Sequence, residues 1–517
     1  MAKPSLGLFC VVVLLVLAVS CTPAGFKKIS QAELRDRIEG GWAGQMIGVS
    51  FGAPTEFRAR GIILEGELKP WTPDRVSNSL QQDDLYVDMT FAKVLDDKGL
   101  DATTDDFGAM FRDSKYRLWH ANLAARRALK RGVKAGESGM PKYNSHANDI
   151  DFQIEADFIG LMAPGLYRSA GQIADRAGRV MNYGDGLYGG VFVSCMYSAA
   201  FFEKDPRKIV EIGLACIPSE SPYAKLITDL LAWSKDNPAD WKKTWQLMQD
   251  KWDKREPCPS GALKPFNIDA KLNGAYIALG LLYGELDFGK TIEISTRAGQ
   301  DSDCNPSSAA GILGVMLGYQ KIPENWKGGI PKLADEKFSY TDFSFRTIVA
   351  STEKRALALI QKTGGRVEGD TILVKLEPPQ PGALELWDDY GSPVERVAVS
   401  DPRWKFRGAW TSPDPKVPSK LTSRKGAEAT VDFEGTGAIV TGAYLEAGGK
   451  ADVYLDGKLD RTVDFYSDGE GRKDGDSVWH AFGLENKKHS VRFVVRGEPH
   501  GESKGAEVEV QEIVVFR

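Results

Sequence analysis

Residues 30–56 read SQAELRDRIEGGWAGQMIGVSFGAPTE. Ser30-Gln31-Ala32-Glu33 has the form of a capping box, and Leu34, Ile38, Trp42 and Met46 follow at four-residue intervals, so a helix is predicted. Gly40, Gly44, Gly48 and Gly52 repeat at the same spacing. One strip of this helix and its exit therefore has no side chains, and another backbone is expected to approach it there. Helical periodicity continues, with further helices expected over 83–97, 119–130, 172–181, 191–202, 223–234, 269–283, 287–298 and 306–317. This makes residues 26–364 a large all-α domain. Asn305-Pro306 supplies a cap and a first helical position, and Gly299 a stop, which places Asp301 to Cys304 in a tight loop between two helices.

Beyond Gly364 the helical pattern stops, and Glu377-Pro378-Pro379-Gln380-Pro381-Gly382 marks residues 365–397 as a linker. From there the period becomes two. Ala451 to Leu455 alternates, Asp456-Gly457 follows, and an alternating return runs through Val463, which is a strong hairpin signal. Val491, Phe493 and Val495 alternate again, as do Val508 and Val510, so residues 398–517 are expected to form an all-β jelly-roll or sandwich domain. Trp404, Trp410, Tyr466 and Trp479 are either a sugar-stacking face of that domain or aromatic core.

The chain has 517 residues and a net charge of -5 with no long basic run, which argues against a nucleic-acid partner. Leu6 to Ser20 is uncharged, and its apolar heart, Leu8 to Val19, is too short to span a bilayer as a mature helix. It reads as a signal peptide over residues 1–20. Leu17-Ala18-Val19-Ser20-Cys21 resembles a bacterial lipobox, so Cys21 is the candidate for lipidation, with an ordinary secretory signal as the alternative. The expectation is an exported lipoprotein on the cell envelope whose lipid is its only membrane anchor. Cys195, Cys216, Cys258 and Cys304 are too few and scattered for a disulfide framework. His146, His480, His489 and His500 have neither HExxH spacing nor a cysteine at zinc-site spacing, and His120 reads as a packed helix residue. Metal or acid-base chemistry is therefore expected to rest on carboxylates.

Three acidic loop clusters stand at helix ends: Glu56 just past the glycine-striped helix, Gln82-Asp83-Asp84, and Asp301-Ser302-Asp303-Cys304-Asn305. Each alone is explained by helix capping and the helix dipole. Together, on glycine-rich helices able to bring those ends close, they make a set of hard oxygen donors suited to Mg²⁺ or Ca²⁺ rather than zinc.

These motifs resemble those of the ADP-ribosylglycohydrolases. Gly48 to Glu56 resembles that family's G-D-A-x-G-x-P-x-E in two glycines, the proline and the glutamate. Gln82-Asp83-Asp84-Leu85 resembles its T-D-D-T, and Gly299 to Pro306 its G-G-D-T-D-T-N-A, in the same order. The resemblance implies Asp83, Asp84 and Asp303 as metal ligands with Asp301 supporting the loop, one or two Mg²⁺ ions (Ca²⁺ or Mn²⁺ as alternatives), and Glu56 as a mobile or catalytic carboxylate. Val49 stands where the family has aspartate, and Gln82 and Cys304 where it has threonine. An amide oxygen can ligate Mg²⁺, whereas a thiol is a poor partner for it.

Between the motifs lie Asn148, Asp151, Glu155 and Asp157, and a Gly-Tyr-rich stretch holding Asp185 and Tyr188, expected to be a loop. Asp84, Asp151 and Asp185 join Glu56 as candidate catalytic groups, and Asn148, Glu155, Tyr188 and Asn305 are candidate substrate-binding groups. The reaction expected is hydrolysis of a glycosidic bond in a carbohydrate or an ADP-ribose-like small molecule, through an oxocarbenium-like state that a carboxylate stabilises. A non-catalytic sugar or nucleotide receptor is the alternative of another class.

Overall fold

A computed structural model of the chain describes residues 25–253, 257–414 and 416–517. The expected signal segment and Cys21 lie outside the described residues. The opening helix runs from Gln31 to Gly52. Ser30 caps it, its hydroxyl accepting from the Glu33 N–H at 3.0 Å. The Glu33 carboxylate does not return to Ser30 but pairs with Arg37 at 2.8 Å, one turn along the helix.

The bare strip of this helix packs against the Cys304–Leu317 helix, which runs antiparallel to it. A Cβ on Gly40 would lie 2.2 Å from the carbonyl oxygen of Gly314, on Gly44 2.2 Å from that of Ala310, and on Gly48 2.2 Å from that of Pro306. On Gly52 it would lie 2.1 Å from that of Ser302. The two backbones thus touch in register at every turn, and the last contact fixes the Asp301–Asp303 loop against the exit of the first helix. The Asp185–Ala200 and Ala270–Tyr283 helices complete the centre, buried on nearly every side. This is the state of a helix apolar all round its circumference. A disulfide joins Cys195 to Cys216, at the end of the Pro206–Ala215 helix.

Three expectations change. The Cys304–Leu317 helix starts with Asp303 as its cap residue and no side-chain cap bond, so Asn305 lies inside the first turn. Asp185 and Tyr188 belong to the first turns of the Asp185–Ala200 helix rather than to a loop. Its glycines are there for contact: a Cβ on Gly190 would meet Phe152 at 2.2 Å. The expected linker is partly ordered structure, since Arg366–Glu368 and Thr371–Lys375 form a three-stranded sheet with Phe26–Ser30, with Ile372 and Val374 buried.

The second domain is built from antiparallel sheets of five strands each, as expected of a sandwich. Gly449–Leu455 and Lys458–Asp464 form the predicted hairpin, Leu455 facing Lys458, with Asp456 at φ 52° and Gly457 at φ 78° as its turn type requires. Trp404 and Trp479 are buried in the sandwich core and Trp410 packs on it, so the aromatic-core alternative holds for these three, whereas the buried Tyr466 lies outside that core and stacks on His500. The last strand, Val508–Phe516, is buried on both faces because Ala262 of the helical domain packs with Ile439, Val514 and Phe516.

The two domains are joined by charged groups from the Ala121–Lys130 helix. Arg126 pairs with Glu470, Arg127 with Asp476 at 2.7 Å while lying 3.5 Å over the Tyr444 ring, and Arg131 with Asp468 at 2.9 Å. Arg396 returns the contact, donating to Ala262 O at 2.7 Å and Pro259 O at 3.0 Å.

The glycine register predicts a specific sensitivity. Gly48→Ala should destabilise the chain by about 3 kcal/mol or prevent folding, since the added methyl meets backbone that has nowhere to retreat. Gly136→Ala, where a Cβ would meet nothing within 4 Å, should leave the urea midpoint almost unchanged. Equal midpoints for the two variants would refute the contact.

Candidate active site

A cavity of about 680 Å³ opens where the acidic helix ends converge, within the range of small-molecule sites. Its acidic end is formed by Glu56, Asp83, Asp301 and Asp303, with Gln82 and Cys304 beside them. Asp83 opens the Asp83–Lys98 helix, and Asp84, next along it, is buried behind, with one carboxylate oxygen 3.3 Å from the Cys304 sulfur. The Glu56 turn is tied to the Asp301 loop twice: Phe57 N–H donates to Gln300 O at 2.9 Å, and the Thr55 and Ser302 hydroxyls lie 2.8 Å apart. Phe57, Tyr86, Trp119 and Phe266 supply aromatic walls, and Trp119 is 40% exposed with the Arg117 guanidinium 4.0 Å over its ring. The sandwich domain closes one side with Arg396, Asp474, Gly475 and Glu512.

Negative groups meet negative groups here. Glu56 has an exposed edge, yet its carboxyl, recessed in the cavity, is pushed up to about 8, first by desolvation and then by the charges of Asp303 and Asp83. Asp83 is raised to about 6 by burial and Asp303. Asp84 and Asp301 are held well above the usual carboxylate range, by burial first and by neighbouring aspartates next. Asp84 Oδ1 and Asp301 Oδ1 are buried without any hydrogen-bond partner. Converging carboxylates with orphaned oxygens fit a hard divalent cation, and Asp301, Asp303 and Cys304 each place one atom within 4.8 Å of the others. The soft Cys304 thiol is the one group of this trio that suits such an ion poorly.

The other expected site residues divide. Asp151 lines the cavity, its two oxygens accepting from Ala121 N–H at 3.0 Å and Asn122 N–H at 3.2 Å, so it anchors the start of the Ala121–Lys130 helix. Glu155 sits one layer deeper and reaches the cavity through Asn122, whose amide donates to it at 2.9 Å. Asp185, Tyr188, Asn148 and Asn305 lie away from the cavity lining. Asp185 accepts from Tyr223 N–H, the Tyr188 hydroxyl donates to Ala383 O, the Asn148 amide donates to Trp387 O, and the Asn305 amide donates to Asn273. These hydrogen bonds hold the interior and the 376–392 segment, while Asn148 Oδ1 and Asn305 Oδ1 are buried without a partner. His120 is not packed within a helix but precedes one and lines the cavity. His146 has a cysteine neighbour in space, Cys258, at 3.3 Å, although the two stand 112 residues apart and so share no zinc-site spacing.

A family model described as ADP-ribosylglycohydrolase matches residues 30–361. Among solved structures, an "ADP-ribosylglycohydrolase-related protein complex" is similar at 16% identity, covering 63% of this chain and 99% of that one, with a TM-score of 0.41. A family two carbohydrate esterase from Cellvibrio japonicus is similar at 14% identity (23% of this chain, 32% of that chain, TM-score 0.19). So is the carbohydrate-binding module CBM36 in complex with calcium and xylotriose, at 10% identity (24% and 100%, TM-score 0.18). No curated protein sequence matches the chain.

Behind the cavity Asp157 is fully buried, with the Ser308 hydroxyl donating to it at 3.4 Å. Burial raises it from 3.8 to about 8. A raised carboxyl keeps a proton in the folded chain that the unfolded chain has lost, so this group's contribution to stability declines as pH rises from about 4 to about 8. Asp157→Asn removes that decline. The unfolding midpoint of the variant relative to wild type should therefore improve between pH 5 and pH 8, and a pH-independent difference would refute the assignment.

Proposed function

The chain belongs to the ADP-ribosylglycohydrolase family of hydrolases, and on that premise we propose that it is an exported, metal-dependent glycoside hydrolase. Its proposed substrate is a sugar or glycan bearing a ribose-like cis-diol, with a furanoside as the leading form. The observation that carries the reading is the convergence of Glu56, Asp83, Asp84, Asp301 and Asp303 at the acidic end of an aromatic-walled cavity.

Asp83, Asp84, Asp301 and Asp303 are the ligands for one or two divalent ions, Mg²⁺ first and Ca²⁺ or Mn²⁺ as alternatives. Such an ion would neutralise the cluster and orient vicinal hydroxyls of the sugar ring. Glu56, recessed in the cavity where desolvation disfavours its ionised form, can give a proton to the departing oxygen and then take one from the incoming water. Asp151, fixed by two backbone N–H groups on the cavity wall, can face the positive charge that grows on the ring. Trp119 and Phe266 offer flat apolar faces for the sugar's C–H surface. The expected export places such an enzyme among extracellular glycans rather than cytoplasmic ADP-ribosylated proteins, which ranks the sugar ahead of the ADP-ribose linkage.

Two tests follow from this reading. In a screen of plant, host and bacterial glycans with ADP-ribosylated substrates alongside, wild type should release product, and chelator or Asp303→Asn should abolish the release. Glu56→Gln should lower it by about 100-fold or more. Release that survives in both variants overturns the site, whereas release from ADP-ribosylated substrates alone keeps the site and replaces the sugar. Absence of turnover across the panel would favour a receptor. Separately, wild-type cells fed labelled palmitate should yield a labelled envelope-bound chain, and Cys21→Ser should yield an unlabelled one. A labelled Cys21→Ser chain would refute lipidation at that residue.

A further inference from the structure

Beside the cavity, and sharing no residue with the acidic cluster, four side chains from three segments of the helical domain meet: His120, His146 with Asp149, and Cys258. One atom from each lies within 4.8 Å of all the others. His146 Nδ1 is 3.3 Å from Cys258 Sγ and 2.7 Å from Asp149 Oδ2. His120 Nδ1 is 4.0 Å from the same sulfur and 3.7 Å from the same oxygen. Zinc bonds of about 2.0–2.1 Å to nitrogen and 2.3 Å to sulfur, at tetrahedral angles, require edges of about 3.3 Å for N···O and about 3.6 Å for N···S. The four measured edges bracket those values and the remaining two are under 4.8 Å, so small shifts of the side chains would close a tetrahedron.

Two independent observations point the same way. Asp149 is 1% exposed, and its second oxygen, Oδ1, has no hydrogen-bond partner. The far nitrogen of His146, Nε2, lies 3.1 Å from Asp476 Oδ1 of the sandwich domain, whose other oxygen accepts from Arg127. A carboxylate on the distal nitrogen of a ligating imidazole is the usual outer support of a metal-bound histidine, because it fixes the ring's tautomer and orientation. Two imidazoles, a thiolate and a carboxylate form a borderline-soft donor set, which selects zinc over Mg²⁺ or Ca²⁺. The charges also balance, since a thiolate and a carboxylate offset a dication.

We propose that His120, His146, Asp149 and Cys258 form a closed, four-ligand zinc site that clasps the helical domain to the sandwich through Asp476. Binding releases the thiol proton of Cys258 to solvent and replaces the proton shared by His146 and Asp149. The ion holds the His120 and Pro259 side of the cavity wall, and its role is structural because all four positions are filled by protein.

The test uses the full mature chain and requires no substrate. Protein purified from zinc-supplemented cells should contain zinc in equimolar amount after a mild chelator wash that strips magnesium. Cobalt exchanged into it should show tetrahedral absorption with a thiolate-to-metal charge-transfer band. Cys258→Ser should lose that band, Cys304→Ser should keep it, and zinc removal should lower the unfolding midpoint of wild type but not of Cys258→Ser. Wild type without stoichiometric zinc, or without the thiolate band in its cobalt form, overturns the proposal even if no variant folds. A band lost in Cys304→Ser instead would move the thiolate to the acidic cluster and overturn it equally. The first result leaves the hydrolytic reading untouched; the second would change the ion held at the acidic cluster, while hydrolysis itself is still decided by Glu56 and Asp303.

Discussion

Contact between two bare backbones governs this molecule. Because Gly40, Gly44, Gly48 and Gly52 present no side chains, the opening helix and the Cys304–Leu317 helix approach until carbonyl oxygens of one fill the Cβ positions of the other. No ordinary side-chain interface reaches that separation, since even two alanines would hold the axes farther apart. The gain is placement: residues 301–303 arrive beside residues 52–56, and the carboxylates of two loops meet. Their mutual repulsion is then sustained by the surrounding buried helices, whose packing supplies the stability that the acidic cluster withholds.

The second domain is bound to the first by ionic contacts as well as by the apolar patch around Ala262 and Phe516. Arg127 lies in a buried ion pair with Asp476 and over the Tyr444 ring, and removing either charge would leave the other desolvated. Such a junction specifies orientation more than it adds stability. Orientation matters because Arg396, Asp474 and Glu512 complete the cavity wall, so the sandwich shapes what the helical domain can admit.

Much of this was legible in the residues. The four-residue glycine spacing announced a close backbone contact, and Asp456-Gly457 announced its hairpin, because both are local constraints with one physical solution. The acidic motifs were legible as a set through their order and resemblance, and the structure gathers them. What failed did so for equally physical reasons. Glycines near Asp185 suggest a loop by composition, but in a fully buried helix they are what permits Phe152 to approach. Asn305 has the chemistry of a cap, yet the helix starts two residues earlier and the Asn305 amide is drawn to Asn273. His146 and Cys258 are 112 residues apart, and no spacing rule links them. Nothing in the sandwich sequence marks Asp474 or Glu512 as cavity residues, since their placement depends on docking.

The glycine register also divides the molecule into what can and cannot vary. At the four contact positions a single added carbon collides with main chain, so the helix contact that places the Asp301–Asp303 loop is closed to substitution by geometry alone. The walls obey no such rule: Trp119 and Phe266 come from the middle of the chain, and Arg396 and Glu512 from strands of a separate domain. Wall side chains can therefore be exchanged without disturbing the helix contact that places the acidic end, so the shape of the cavity and the position of its carboxylates are set by different parts of one polypeptide.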